Sequence, residues 1–187
     1  MKRLLISILL VTGLSAAQNG IYVELNAGIV LKDEKKIVND VYTYDENFVG
    51  SVAVGYQMDL LRFEIEESYN SASVNSVNLN SASGTILRES KMFNLYYSGY
   101  NDSKLVSTIG IGAGVSDVKS KDLKILGASS EFSYKNVFSY QASFGVAYML
   151  DEDWSLNLKY KYLATMKKEQ LQDYSDSIVT LGIRYLF

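Results

Sequence analysis

The chain has 187 residues, 48% of them hydrophobic and 12% aromatic, and contains no histidine, no cysteine and no proline. Those absences exclude disulfides, zinc sites of the usual kind, catalytic thiols and any imidazole base. The net charge of −3 is modest; a mean hydropathy of zero, with no run near the ~20 apolar residues of a spanning helix, excludes a polytopic helical membrane protein.

Lys2 and Arg3 make a positive n-region, Leu4 to Val11 an apolar h-region, and Ser15, Ala16 and Ala17 put small residues where a secretory signal peptide is cut. Residues 1–17 are therefore expected to be removed by cleavage between Ala17 and Gln18, with an uncleaved anchor as the alternative. Residues 18–187 then form one domain. They carry sixteen basic and twenty-one acidic residues, and that mildly acidic exported product argues against nucleic acid as a partner.

From residue 21 onward the pattern has period 2, large apolar residues alternating with small or polar ones, which predicts strands. Ile21–Val30, Phe48–Met58, Leu61–Tyr69 and Met92–Tyr100 fit with some irregularity. Ile109, Ile111, Ala113 and Val115 then alternate with Gly110, Gly112, Gly114 and Ser116. Phe138, Tyr140, Ala142, Phe144, Val146 and Tyr148 alternate with Ser139, Gln141, Ser143, Gly145 and Ala147. Trp154, Leu156, Leu158, Tyr160 and Tyr162 alternate with Ser155, Asn157, Lys159 and Lys161, and Val179, Leu181, Ile183, Tyr185 and Phe187 with Ile178, Thr180, Gly182, Arg184 and Leu186. No amphipathic helix gathers such sets onto one stripe.

Short turns at Asp59-Leu60, Asn101-Asp102-Ser103 and Asp151-Glu152 alternate with long polar segments over residues 31–46, 70–90, 117–135 and 164–175. An up-and-down meander puts every long loop at one end. Eight strands of about ten residues, tilted to cross ~25 Å, with short turns opposite long loops, predict an all-β, eight-stranded antiparallel transmembrane β-barrel. The face rich in Gly, Ala and Ser suits a narrow lumen, and the bulky face, with Tyr148, Trp154, Tyr162 and Tyr185 near strand ends, suits lipid. A soluble, ligand-holding barrel is the competing topology.

Glu24, Arg62, Glu64, Glu66, Lys159, Lys161 and Arg184 all have lumen parity. The expected arrangement is a paired charge network, with Glu24 near Arg184 and the glutamates of the third strand facing the lysines of the seventh. It reads either as a plug or as the lining of an ion-selective pore. Glu67 has outward parity and is tolerable only near the membrane boundary. The Gly110–Gly114 run lies inside a strand with no following helix, so it is no phosphate loop. Asp151, Glu152 and Asp153 lack the spacing of a calcium loop. No metal, cofactor or catalytic constellation is expected.

The final stretch IVTLGIRYLF, residues 178–187, resembles the C-terminal assembly signal of bacterial outer-membrane barrels. NFVGSVAVGYQMDLLRFEIEESYN at 47–70, STIGIGAGVSDV at 107–118 and FSYQASFGVAYMLDEDWSLNLKYKYL at 138–163 resemble the small surface-antigen and opacity-type porin-like barrels, relatives of the OmpA transmembrane domain. The resemblance implies a bacterial outer-membrane location, contact with outer-membrane lipid, and delivery by periplasmic chaperones to the barrel-insertion machinery. Leu181, Ile183, Tyr185 and Phe187 would be the residues that machinery reads. The peptidoglycan-binding domain that follows the barrel in full-length OmpA is expected to be absent, because the sequence stops at the eighth strand.

Two roles follow from the likeness: a structural, surface-antigen or adhesin-like protein that meets a surface ligand through four long extracellular loops, or a narrow porin-like channel for ions or small solutes. Loop charge does not choose a partner, since residues 31–46 hold three bases and five acids and residues 117–135 four bases and three acids. Tyr42, Tyr44, Phe132 and Tyr134 are either contact anchors or continuations of the strands.

Overall fold

The computed structural model describes residues 19–31, 34–37, 40–78, 80–100, 103–129, 131–166 and 174–187, with side chains for all of these except 34–37, 40–46 and 174. The expected signal segment, including Ala17 and Gln18, lies outside these residues. So do Asn101 and Asp102 of one expected turn and most of the last expected loop.

Eight strands form the wall: β1 (Gly20–Val30), β2 (Asp40–Met58), β3 (Leu61–Val77), β4 (Asn80–Gly99), β5 (Leu105–Ile125), β6 (Ser133–Met149), β7 (Trp154–Thr165) and β8 (Tyr174–Leu186). Each pairs antiparallel with its neighbour in sequence, and β1 closes the ring by pairing with both β8 and β2. Two short strands, Glu34–Ile37 and Ala128–Ser129, add to β2 and β5 outside the ring. Between the two ends of the ring each wall strand is paired on both sides, which leaves no strand edge to meet lipid.

The stagger of the ring is readable from the pairing. A path from Val30 crosses Ile178, Lys161, Ser143, Gly110, Tyr96, Arg62 and Gln57, and returns to β1 at Gly20, ten residues from its start. Eight strands with that stagger tilt by about 40° and give a backbone radius of about 8 Å, a bore that side chains fill.

Outside, the wall is apolar. Ile65 is 68% exposed and Ile111 66%, and the same face carries Leu25, Val54, Phe93, Phe144, Leu158 and Leu181. Tyr56, Tyr148, Trp154 and Phe187 ring the turn end, and Phe48, Tyr69, Tyr140 and Tyr162 the other end, as girdles at two lipid–water interfaces would. Inside, charged and polar residues are buried. A soluble ligand-holding barrel would show the reverse.

At one end, two of the three expected tight turns lie within the described residues and match the expectation. Asp59 takes a positive φ of 51°, and the Asp151 carboxylate accepts the amides of Asp153 (2.9 Å) and Trp154 (2.7 Å), an Asx turn in place of a calcium loop. At the other end the long segments differ from what was expected. Residues 40–46 continue β2 and pair with Glu34–Ile37, 70–77 and 80–90 continue β3 and β4, and 117–125 continues β5, so three of the four presumed loops are largely paired strand. β5 is 21 residues long, about twice what the membrane needs.

The physical reason is a set of bulges. Register shifts fall between Ser73 and Ser76, Ser83 and Thr85, and Ser116 and Val118, each flipping the side-chain parity that marks a strand. Ala72, Val74, Val77, Ile86, Val118, Leu123 and Val137 are buried together as a small core between the extended hairpins, with Phe132 and Tyr134 against it. Those two aromatics, 5.7 Å apart between ring centroids, therefore serve the hairpins' packing. Tyr42 and Tyr44 lie on β2; their side chains are outside the described set.

Candidate functional site: the lumen

All seven predicted lumen charges are buried, none more than 5% exposed. Read upward from the turn end, the inward residues of β4 run Tyr96, Asn94, Met92, Ser90, Arg88, Ile86. Those of β8 run Arg184, Thr180, Ile178, Asp176. Polar and apolar layers therefore alternate along the bore.

The lowest layer holds Arg62 between two aromatic rings, 4.8 Å above Tyr96 and 5.6 Å from Tyr22, while Arg184 lies 5.5 Å from the same Tyr22 ring. Such stacking stabilises a guanidinium by about 0.5–2 kcal/mol. At the mouth below, Gln57 donates to the Tyr100 hydroxyl, and burial pushes that phenol above its usual range. Above it, Glu64 accepts from Tyr22 (2.9 Å), Tyr96 (3.2 Å) and Asn94 (3.0 Å). Lys159 pairs with Glu24, which also accepts from Asn157 at 3.3 Å. Lys161 pairs with Glu66, which accepts from Asn94 (3.1 Å) and Gln141 (3.2 Å). The two lysines thus divide between Glu24 and Glu66, and Glu64 is held by neutral donors. Glu24 and Arg184 are register partners as expected, but the carboxylate turns to Lys159.

Next comes an apolar layer of Val30, Val49, Met92, Leu163 and Ile178, drawn from five strands. Beyond it a second ionic layer holds Arg88 and Asp176, 2.9 Å apart, with Asn70 donating to the same carboxylate at 3.1 Å. Ser90, Ser116 and Ser139 form a hydroxyl chain with 2.7 Å links. The hairpin core described above caps the stack.

Sequence reasoning missed Arg88 because it lay in a segment read as a loop, and Asp176 because it lay between the last expected loop and the strand read from Ile178. Their parity with Met92 and Ile178 was the available signal. The Gly110–Gly112–Gly114 run now has a packing role: a Cβ on Gly110 would lie 2.3 Å from the Tyr96 ring and one on Gly112 2.0 Å from Asn94 Oδ1. Gly112→Ala should push Asn94 off both glutamates and cost about 1–3 kcal/mol, readable as a lower urea midpoint for the folded barrel.

Outside, Glu67 is 64% exposed and faces Lys91 at 3.8 Å, two residues below Tyr69 of the upper girdle. Nearby, Lys119 donates to Glu89 at 2.7 Å, and that carboxylate holds the ammonium pKa above its ordinary value. The outward charge on β3 therefore sits at headgroup level. The expected assembly residues Leu181, Ile183, Tyr185 and Phe187 share the outer face of β8. Tyr185 packs 4.7 Å from Trp154 and edge-on, 4.8 Å, to Phe187, while the Phe187 amide donates to Ile21 O at 2.8 Å across the closing seam.

A closed ring of eight antiparallel strands, ionic within and apolar without, defines a transmembrane β-barrel of the outer-membrane kind. Residues 4–187 match the profile of the family described as the outer membrane protein beta-barrel domain. The chain belongs to that family, and its place is the bacterial outer membrane. Among curated proteins no sequence matches significantly. Similar solved structures include Neisserial surface protein A (TM-score 0.69, 16% identity, covering 92% of this chain and 99% of that one). The outer membrane protein OprG of Pseudomonas aeruginosa has a TM-score of 0.63 at 14% identity, covering 92% and 98%. Ail, the attachment invasion locus protein of Yersinia pestis, solved in complex with the heparin analogue sucrose octasulfate, has a TM-score of 0.55 at 15% identity, covering 91% and 100%. At these identities the likeness is one of fold.

Proposed function

We propose that this barrel is a non-catalytic surface-interaction protein, of the surface-antigen or adhesin-like kind, whose bore is plugged by its own side chains. The observation that carries the reading is the alternation of ionic and apolar layers: an apolar layer between two ion-paired ones opposes any continuous file of water. Meanwhile β2 to β6, 17 to 21 residues long, project well past the girdles and present strand hairpins to the outside. Binding residues concentrate on such projections when a rigid scaffold holds them. The second reading, a narrow ion channel, draws on the same ion pairs lined up along the bore. Purified barrel in planar bilayers separates the two: a silent wild type is expected, and discrete openings would replace the plug by the channel.

We also propose that the chain is exported by cleavage between Ala17 and Gln18, carried by periplasmic chaperones, and inserted by machinery that reads Leu181, Ile183, Tyr185 and Phe187. Deleting Phe187 removes an outer-face ring and the seam hydrogen bond to Ile21. The assembled fraction in outer-membrane preparations should fall severalfold while the periplasmic pool rises. An unchanged assembled fraction would leave the terminal Phe without that role.

A further inference from the structure

The lumen's charges do not cancel. Among the described side chains its buried bases are Arg62, Arg88, Lys159, Lys161 and Arg184, and its buried acids Glu24, Glu64, Glu66 and Asp176, a surplus of one positive charge. An unbalanced charge in a desolvated interior is costly. The surplus can be located, because Asp176 is bonded to Arg88, Glu66 to Lys161, and Glu24 to Lys159. Glu64 takes neutral donors. The cations left over are the two arginines at the turn end.

Arg62 is the sharper case. It is 1% exposed, and its Nε, Nη1 and Nη2 are all buried with no hydrogen-bond partner among the described residues. A guanidinium offers five N–H donors, and leaving them unmet is costly. The Ser155 hydroxyl, 1% exposed and directly opposite Arg184 in the pairing of β7 with β8, is likewise without a partner. Two guanidinium groups share the Tyr22 ring, and the carboxylates above them are already engaged. The turn end is thus rich in donors and poor in acceptors.

We infer that the turn end of the lumen, at Arg62 with Arg184 and Ser155, binds one small monovalent inorganic anion of halide size. One such ion brings the described lumen charge to zero and supplies the acceptor that Arg62 lacks. The tyrosine rings packed into the turn end of a bore of about 8 Å backbone radius favour a small ion over a large one.

The test uses the folded wild-type barrel in detergent. Crystals grown in bromide should show an anomalous peak at hydrogen-bonding distance from the Arg62 guanidinium. At constant ionic strength, the unfolding midpoint should be higher in chloride or bromide than in gluconate, and R62M should abolish that difference. If R62M does not fold, the bromide map on wild type decides alone. Water in place of bromide at Arg62 overturns the site whatever the midpoints do.

Discussion

Lys161→Met should lower the unfolding free energy of the barrel by about 3–5 kcal/mol, the usual loss when one partner of a buried ion pair is removed. Glu66 is 2% exposed, so without Lys161 it loses its direct cationic partner and its hydrogen bonds come only from the amides of Asn94 and Gln141. The loss is dominated by a stranded carboxylate rather than by missing packing, because methionine fills much of the lysine stem's volume. Lys161→Met combined with Glu66→Gln should therefore recover most of the stability, since the amide keeps an acceptor for its neighbours and carries no charge. Lys91→Met is the surface control: its pair with Glu67 is 3.8 Å long and highly exposed at both ends, so the change should stay under about 1 kcal/mol. Urea titration in lipid vesicles, followed by the fluorescence of the single tryptophan, Trp154, reads all three. Equal midpoints for wild type and Lys161→Met would mean that the lumen network does not hold the barrel together.

What the sequence made legible was whatever an unbroken period of two could carry. The seven lumen charges, the outward face of Trp154 to Tyr162 and the inward face of Ser139 to Ala147 all lie where alternation predicts, because between the girdles the ladder has no bulge. The expectation failed where bulges shift parity. Val74 and Val77 share a small core although they are three positions apart, an odd offset that an unbroken strand would send to opposite faces, and Ser/Asn-rich composition over 70–85 resembles a loop while forming a hairpin. Partner choice within the network was also out of reach. Counting heights along strands suggested Glu24 with Arg184, but register neighbours in a wall tilted by about 40° are not level with each other, and Lys159 on the next strand reaches Glu24 instead. Tyr22 and Tyr96 share the inward parity of Glu24 and Asn94, but alternation alone does not show what an inward ring meets. Their role as clamps appears only once β1 and β4 are known to bring their rings to Arg62 of β3 at the same end of the bore.

Converting Met92 and Val49 together to serine should turn a silent barrel into a conducting one. Both belong to the apolar layer that parts the Glu66–Lys161 level from the Ser90–Ser116–Ser139 hydroxyl chain, and Met92 stands directly between Asn94 and Ser90 on β4. A constriction lined by apolar groups excludes ions by staying dry. Two hydroxyls and the volume freed by the methionine allow water to connect the two polar levels. Removing a buried methionine side chain costs about 2–5 kcal/mol, so folding of the variant has to be verified first by its unboiled mobility on detergent gels. Phe93→Ser is the matched control, since Phe93 is the adjacent residue but faces lipid, 56% exposed, and its loss should leave the bore silent. Openings in the double variant and none in Phe93→Ser would assign the seal to the apolar layer. Silence in a correctly folded double variant would shift it to the charge network below or to the hairpin core of Val118, Leu123 and Val137 above.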